Sequence, residues 1–177
     1  MNRLMCGAAA TLVVAAGCSP ISLAKRGLEE VRGASGELVV LQELSASAMA
    51  DASRITVGPM VNDAGPDCPE PFRLELQDAL RQAVARASTK MAKGSGPALR
   101  LEGKIVYFRH AGARKLLGGM AMALARIRVV DAASGQIVGR ANAVASSKAV
   151  RAGREQLARA IAKEVAAWLA RRARPAE

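Results

Sequence analysis

The clearest alternation in the chain runs from Ala98 to Arg109, where Leu99, Leu101, Ile105 and Tyr107 interleave with Arg100, Glu102 and Lys104. A period of two puts one set on a buried face and the other in water, so this stretch predicts a half-covered strand. Gly103 falls on the apolar side, where a missing Cβ lets another part of the chain approach closely. Met120 to Val130 predicts a second strand, and Gln136 to Ser147 a third that carries Gly139, Ala141, Ala143 and Ala145 on the side of Ile137. Between them, Asp131-Ala132-Ala133-Ser134-Gly135 reads as a hairpin turn, opened by an aspartate and left through a glycine in the left-handed region. Earlier in the chain, Glu37 to Leu44 is apolar on both faces, Val39 and Leu41 against Leu38 and Val40, as in a covered strand. Arg54 to Met60 predicts a shorter strand that ends at the turn signal Gly58-Pro59.

Two stretches follow the helical period instead. Phe72, Leu76, Leu80 and Val84 recur every fourth residue and predict an amphipathic helix from Pro71 to Ser88, with Pro71 in the first turn, where no N–H is needed. Leu157, Ile161, Val165, Trp168 and Leu169 form the stripe of a second helix, and Arg171, Arg172 and Arg174 fall where a helix dipole favours positive charge. Ser45 to Ser53 and Asn62 to Pro71 read as connections, and Gly94-Ser95-Gly96-Pro97 as a stop. The order strand, strand, helix, strand, hairpin, helix predicts an α+β domain, a mostly antiparallel sheet of about five strands with two packed helices.

The first residues do not fit that domain. Arg3 precedes an apolar run, Leu4 to Ala16, too short to span a bilayer as a helix, and the run ends in Val14-Ala15-Ala16-Gly17-Cys18. This segment resembles a bacterial lipobox, with Ala15 standing where that pattern usually carries leucine. The resemblance implies a lipoprotein signal peptide over residues 1–17, removed in front of a Cys18 that carries a thioether-linked diacylglycerol. The membrane is then one partner, held through acyl chains whose burial is worth about 0.8 kcal/mol per CH₂. Ser19 stands where an aspartate would imply retention at the inner membrane, which points to the outer membrane and its periplasmic face. Residues 18–36 become a lipid-anchored tether, roughly 60 Å long if fully extended, and residues 37–177 a single domain.

Composition narrows the possibilities further. The mature chain is the size of one ordinary domain, about half apolar but rich in alanine, and its only aromatic residues are Phe72, Tyr107, Phe108 and Trp168. The formal charge of +11 falls to +10 when Arg3 leaves. From Cys18 to Pro97, nine Lys and Arg face ten Asp and Glu; from Ala98 onward, sixteen face five. A basic half is either a solvated surface that uses arginine or a surface for anionic lipid or acidic polymer. Nucleic acid is not expected, because base stacking needs aromatics on a basic surface and a secreted location is a poor place for it. With Cys6 in the signal and Cys18 lipidated, Cys68 is a single thiol, either a tolerated small residue or one half of an intermolecular bridge.

Chemistry beyond lipidation is sparse. His110 is the sole histidine and no spaced ligands accompany it or Cys68, so no metal site is expected. Gly112 to Gly119 holds Arg114 and Lys115 between glycines but lacks the Lys-Ser or Lys-Thr of a phosphate-binding loop. Arg114 and Lys115 remain candidate contacts to an anionic surface. Ser45, Ser47, Ser134, Ser146 and Ser147 sit in no nucleophile motif, and Asp63, Asp67 and Glu70 lie in a proline-rich loop where carboxylates are usually solvated. No catalytic residue and no cofactor are expected.

From Leu99 to Ala143 the chain resembles a family of small bacterial lipoproteins of unknown function. The shared features are a strand ending in a basic, glycine-bearing loop (Arg109, Arg114, Gly118, Gly119), an alternating strand into Asp131 to Gly135, and a following helix. The layout is more distantly similar to the curli-secretion lipoprotein and to activators of cell-wall synthases. The chain lacks the long transmembrane hairpins of the first and the long reach of the second, so neither function carries over. The expectation is a lipid-anchored, non-catalytic periplasmic domain that binds or scaffolds another envelope protein, in an oligomeric state the sequence leaves open. The alternatives are an envelope enzyme with an unrecognised site and an auxiliary subunit of an envelope exporter.

Overall fold

Alanine and glycine decide how closely the layers of this domain approach. The computed structural model describes residues 33–88, 94–110, 120–147 and 153–172. They form β1 (Ser35–Gln42), α1 (Ala46–Asp51), β2 (Ile55–Asn62), a 3-10 turn (Gly65–Asp67), α2 (Glu70–Ser88), β3 (Leu99–Arg109), β4 (Ala121–Asp131), β5 (Ile137–Ser147) and α3 (Arg154–Arg172). The five strands make one sheet in the order β1-β5-β4-β3-β2. All neighbours are antiparallel except β2 and β3, which run parallel through the crossover helix α2. The α+β architecture expected from the periodicities is therefore the one observed.

One face of the sheet is covered by α3, lying against β1 and β5, and by α2, lying against β2. On that face β4 and β5 present Ala123, Ala125, Ala141, Ala143 and Ala145, all buried. Such short side chains let helices sit close, and the helices supply the bulk. Leu157, Ile161, Val165, Trp168 and Leu169 of α3 and Phe72, Leu76, Leu80 and Val84 of α2 are all buried, as their spacing predicts. Phe72 packs on Phe108 with ring centroids 4.6 Å apart and tilted by 44°. At two places even an alanine is too large. A Cβ on Gly36 would lie 2.6 Å from the backbone oxygen of Ala160 in α3. One on Gly139 would lie 2.6 Å from Leu44 Cδ2 and 3.2 Å from Trp168 Cζ2. Gly103 plays the expected part, since Met60 Sδ and Cε occupy the space a Cβ would need.

The hairpin between β4 and β5 forms as its residues require. Asp131 Oδ1 accepts hydrogen bonds from the N–H groups of Ala133 (2.8 Å) and Ser134 (2.9 Å), and Gly135 has φ of 71°. The backbone hydrogen bonds from Ser134 and Ala133 hold the Asp131 carboxyl below its ordinary pKa.

Four local expectations need correction, the first being Tyr107, which the alternation puts on the buried side and a bulge between Ile105 and Tyr107 turns to the open face. The segment Ser45–Ser53 contains α1 rather than a plain connection, capped by the Ser45 hydroxyl, which accepts from Ala48 N at 3.3 Å. The strand expected to end at Gly58-Pro59 continues to Asn62, because the chain bulges between Val57 and Met60 and resumes pairing with β3. Helix α2 takes up the polar groups freed there. Met60 N–H donates to Gln77 Oε1 at 3.5 Å, and Arg73 Nη1 donates to Met60 O at 3.3 Å. Finally, β1 is covered on one face only. It is an edge strand, and Val39 and Leu41 are 46% and 61% exposed. Periodicity alone could not distinguish a strand between two layers from one whose second face happens to be apolar.

Candidate functional site

Two surfaces remain once the core is closed: a groove on the outside of the helical layer and the sheet face that no described helix covers. The groove arises because α2 and α3 run side by side in the same direction, with Arg154 at the start of α3 reaching Glu75 near the start of α2 at 3.4 Å. Ala79 and Ala83 on one helix and Ala162 and Ala166 on the other are too short to fill the outer seam. They leave an open groove of about 990 Å³ rimmed by Glu75, Asp78, Arg86, Glu155, Arg159 and Lys163. Arg159 pairs with Glu155, and Arg81 with Asp78 at 3.1 Å, exposed pairs that add little to stability. A small-residue floor with a rim of both signs can receive a segment of another protein. It aligns no nucleophile with a base.

The open sheet face is read from the strand register. Rows of side chains cross β3, β4 and β5 as Glu102, Arg128, Arg140; then Lys104, Arg126, Asn142; then Tyr107, Leu124, Val144; then Arg109, Met122, Ser146. A bulge between Ile105 and Tyr107 shifts β3 between the second and third rows and brings Tyr107 onto this face, 41% exposed. The half of the face nearer the β4–β5 hairpin is therefore cationic, and the other half is mixed, with Tyr107, Leu124, Val144 and Met122 beside Arg109, Ser146 and, on β1 opposite Val144, Glu37. Glu102 is clamped by Arg100 Nε at 2.7 Å and Arg128 Nε at 2.8 Å. Desolvation alone would raise its carboxyl, but the hydrogen bonds and charges of the two arginines bring it below the ordinary carboxylate range.

The residues singled out from the sequence are scattered. Cys18, Arg114 and Lys115 lie outside the described residues, the last two between β3 and β4. Cys68 is buried and free of disulfide, and its thiol is pushed up by burial and then by the Glu70 carboxylate, which makes it a poor nucleophile. His110 is exposed at the end of β3. The loop carboxylates do not converge: Asp63 pairs with Lys104 at 3.7 Å, and Glu70 pairs with Arg73, whose hydrogen bond lowers the Glu70 pKa. Among the described residues, no group of three His, Cys, Asp or Glu side chains could hold a metal ion, and no helix is long and apolar enough to cross a membrane.

Sequence reasoning missed the cationic rows of the open face. The turn at Asp131 to Gly135 brings Arg128 and Arg140 close in register, but a shift between Val129 and Val130 is what sets them directly opposite, six positions either side of Ser134.

This layout, one five-stranded sheet with two long helices on a single face, occurs in solved proteins. The PelC dodecamer from Paraburkholderia phytofirmans matches with a TM-score of 0.51 at 16% identity, covering 76% of this chain and 96% of that one. The chain is similar in fold to PelC. At lower similarity stand the lipoprotein GNA1162 from Neisseria meningitidis, with a TM-score of 0.42, 12% identity and coverage of 65% and 99%, and a protein from a family of unknown function of Xanthomonas campestris, with a TM-score of 0.42, 11% identity and coverage of 75% and 88%. Similar solved structures thus include a bacterial lipoprotein and a member of a family of unknown function. No protein-family model matches the sequence, and no curated protein matches it.

Proposed function

We propose that this chain is a lipid-anchored lipoprotein of the bacterial envelope, held by Cys18 at the periplasmic face of the outer membrane, whose domain binds or scaffolds another envelope component rather than catalysing a reaction. The observation that carries the reading is the fold likeness to PelC, which spans 96% of that chain, together with the dodecameric state in which PelC was solved. A domain of this layout can build assembly surfaces from itself. The lipobox-like start supplies the attachment, and the alanine-floored groove between α2 and α3 supplies a surface for a partner segment.

The test uses the full chain made in bacteria, with a photo-crosslinking residue in place of Ala83 or Ala166. Mass spectrometry of the mature amino terminus is expected to find a diacylglycerol-modified Cys18, and both groove positions are expected to give discrete crosslinked species, multiples of the chain mass if the partner is another copy. An unmodified terminus that begins elsewhere overturns the anchor. A monomer that crosslinks from neither position overturns the binding role.

A further inference from the structure

The open sheet face carries an arrangement that costs stability and that the assembly reading does not use. Directly opposed residues on neighbouring strands lie about 4.5–5.5 Å apart, and like charges in those places repel. Here Lys104 faces Arg126 across β3 and β4, and Arg128 faces Arg140 across β4 and β5. The carboxylates nearby do not balance them. Glu102 is shared by Arg100 and Arg128, Asp63 reaches only Lys104, and among the described residues no ion pair reaches Arg126 or Arg140. Strands about 4.8 Å apart with alternate residues roughly 6.8 Å apart place these cations on a patch whose neighbours fall within one Debye length, about 8 Å at physiological salt, so their fields add.

The same face also exposes apolar groups. Tyr107 and Val39 are 41% and 46% exposed, Val61 beside Lys104 is 46% exposed, and Leu124, Met122 and Val144 are half-buried between them. A dissolved polyanion would engage the cations and leave the apolar groups in water. A lipid surface engages both, receiving arginines at its phosphates and short apolar tips at its interface. The chain enters the fold at β1, along one edge of this face.

We propose that the open face of the sheet lies against an anionic membrane, with Arg100, Lys104, Arg126, Arg128 and Arg140 meeting lipid phosphodiesters and Tyr107 entering the interface. This goes beyond the proposed function, since it adds a second, non-covalent contact and fixes which way the domain faces: sheet toward the lipid, helical groove toward the aqueous side. It does not depend on acylation of Cys18.

The test therefore uses the unlipidated mature chain, from residue 18 with Cys18→Ser, and measures co-sedimentation with vesicles. Vesicles of phosphatidylglycerol and phosphatidylcholine are expected to bind it, pure phosphatidylcholine vesicles to bind it poorly, and high salt to release it. At about 1 kcal/mol for each basic residue at an anionic surface, the double variant Arg126→Ala, Arg140→Ala is expected to bind about 30-fold more weakly. Arg126→Lys, Arg140→Lys, which keeps the charge and the strand pairing, is expected to bind as the parent does. Tyr107→Ala is expected to lose affinity several-fold with no change of charge. Arg81→Ala, Arg171→Ala, the same charge loss on exposed helix positions, is expected to leave binding within twofold. Equal losses in the two alanine double variants overturn the proposal, because net charge alone would then explain binding. It is also overturned if the parent ignores anionic vesicles, or if it binds soluble polyphosphate or an acidic polysaccharide as tightly as vesicles without needing Tyr107. Loss of Cys18 acylation in cells with vesicle binding intact would remove the anchor and leave this inference standing.

Discussion

The two faces of the sheet follow the same alternation and meet opposite fates. On the helix side, β4 and β5 offer methyl groups and bare backbone, and two large amphipathic helices press down until Gly36 touches the backbone of α3 and Gly139 touches Leu44 and Trp168. On the other side the same strands offer Met122, Leu124, Arg126, Arg128, Arg140 and Val144, and no described element covers them. Stability comes from the first face, where every side chain is fitted against another. The second face tolerates repulsion between neighbours that a closed interior would not. Close packing is intolerant of small changes, whereas an open surface can be altered widely before the fold responds.

That contrast can be broken most forcefully at Trp168. Trp168→Ala should remove about 3–5 kcal/mol, a large part of the 5–15 kcal/mol typical of a domain, and shift the urea midpoint accordingly; a loss below about 1 kcal/mol would mean that α3 is not the main cover of β5. Next comes Gly36→Val, which drives a branched side chain into the Ala160 carbonyl. It should cost about 1–3 kcal/mol, read by thermal unfolding, and an unchanged midpoint would show that β1 and α3 are farther apart than described. On the open face the sign should reverse. Arg140→Glu converts the opposed Arg128–Arg140 pair into an attractive one and should gain about 0.2–1 kcal/mol. A destabilised Arg140→Glu protein would contradict the strand register.

The smallest effect concerns pH. The folded-state pKa of Glu102 lies below its ordinary value, so its contribution is complete above the unfolded pKa and fades as pH falls through the folded one. Urea midpoints of the parent should therefore drop more than those of Glu102→Gln between neutral and strongly acidic pH. Equal drops would show that the clamp by Arg100 and Arg128 does not exist in solution.

How far the sequence disclosed this contrast depends on the range of the interaction. The alternation of Leu99 to Lys104, the four-residue rhythm of Phe72 to Val84 and the turn at Asp131 to Gly135 are local, and each produced its element. The short α1 was hidden because six residues with one buried side chain, Met49, leave no periodicity to detect. The continuation of β2 beyond Pro59 was hidden because Gln77 and Arg73, more than a dozen positions away, supply the missing hydrogen bonds. Whether Val39 faces a second layer or open space is decided by what lies across the sheet, and nothing near residue 39 encodes it. The cationic rows lie between these extremes. Arg126 and Arg128 are visibly alternate, but their neighbours Lys104 and Arg140 join them only once the register of three strands is known.

The position of β1 has a consequence for how the molecule is made. Ser35 pairs with Ser146, and its hydroxyl hydrogen-bonds across 111 residues of sequence. Among the described residues, the first strand to be synthesised therefore waits for the last before it has a partner, with Val39 and Leu41 uncovered throughout. Contacts of such long separation form slowly, and an unpaired edge in the meantime can recruit foreign strands. A chain cut short between residues 110 and 136 would still hold the parallel β2–α2–β3 unit but would leave its leading strand unclaimed, so completing the carboxy-terminal quarter is what makes the rest safe from aggregation.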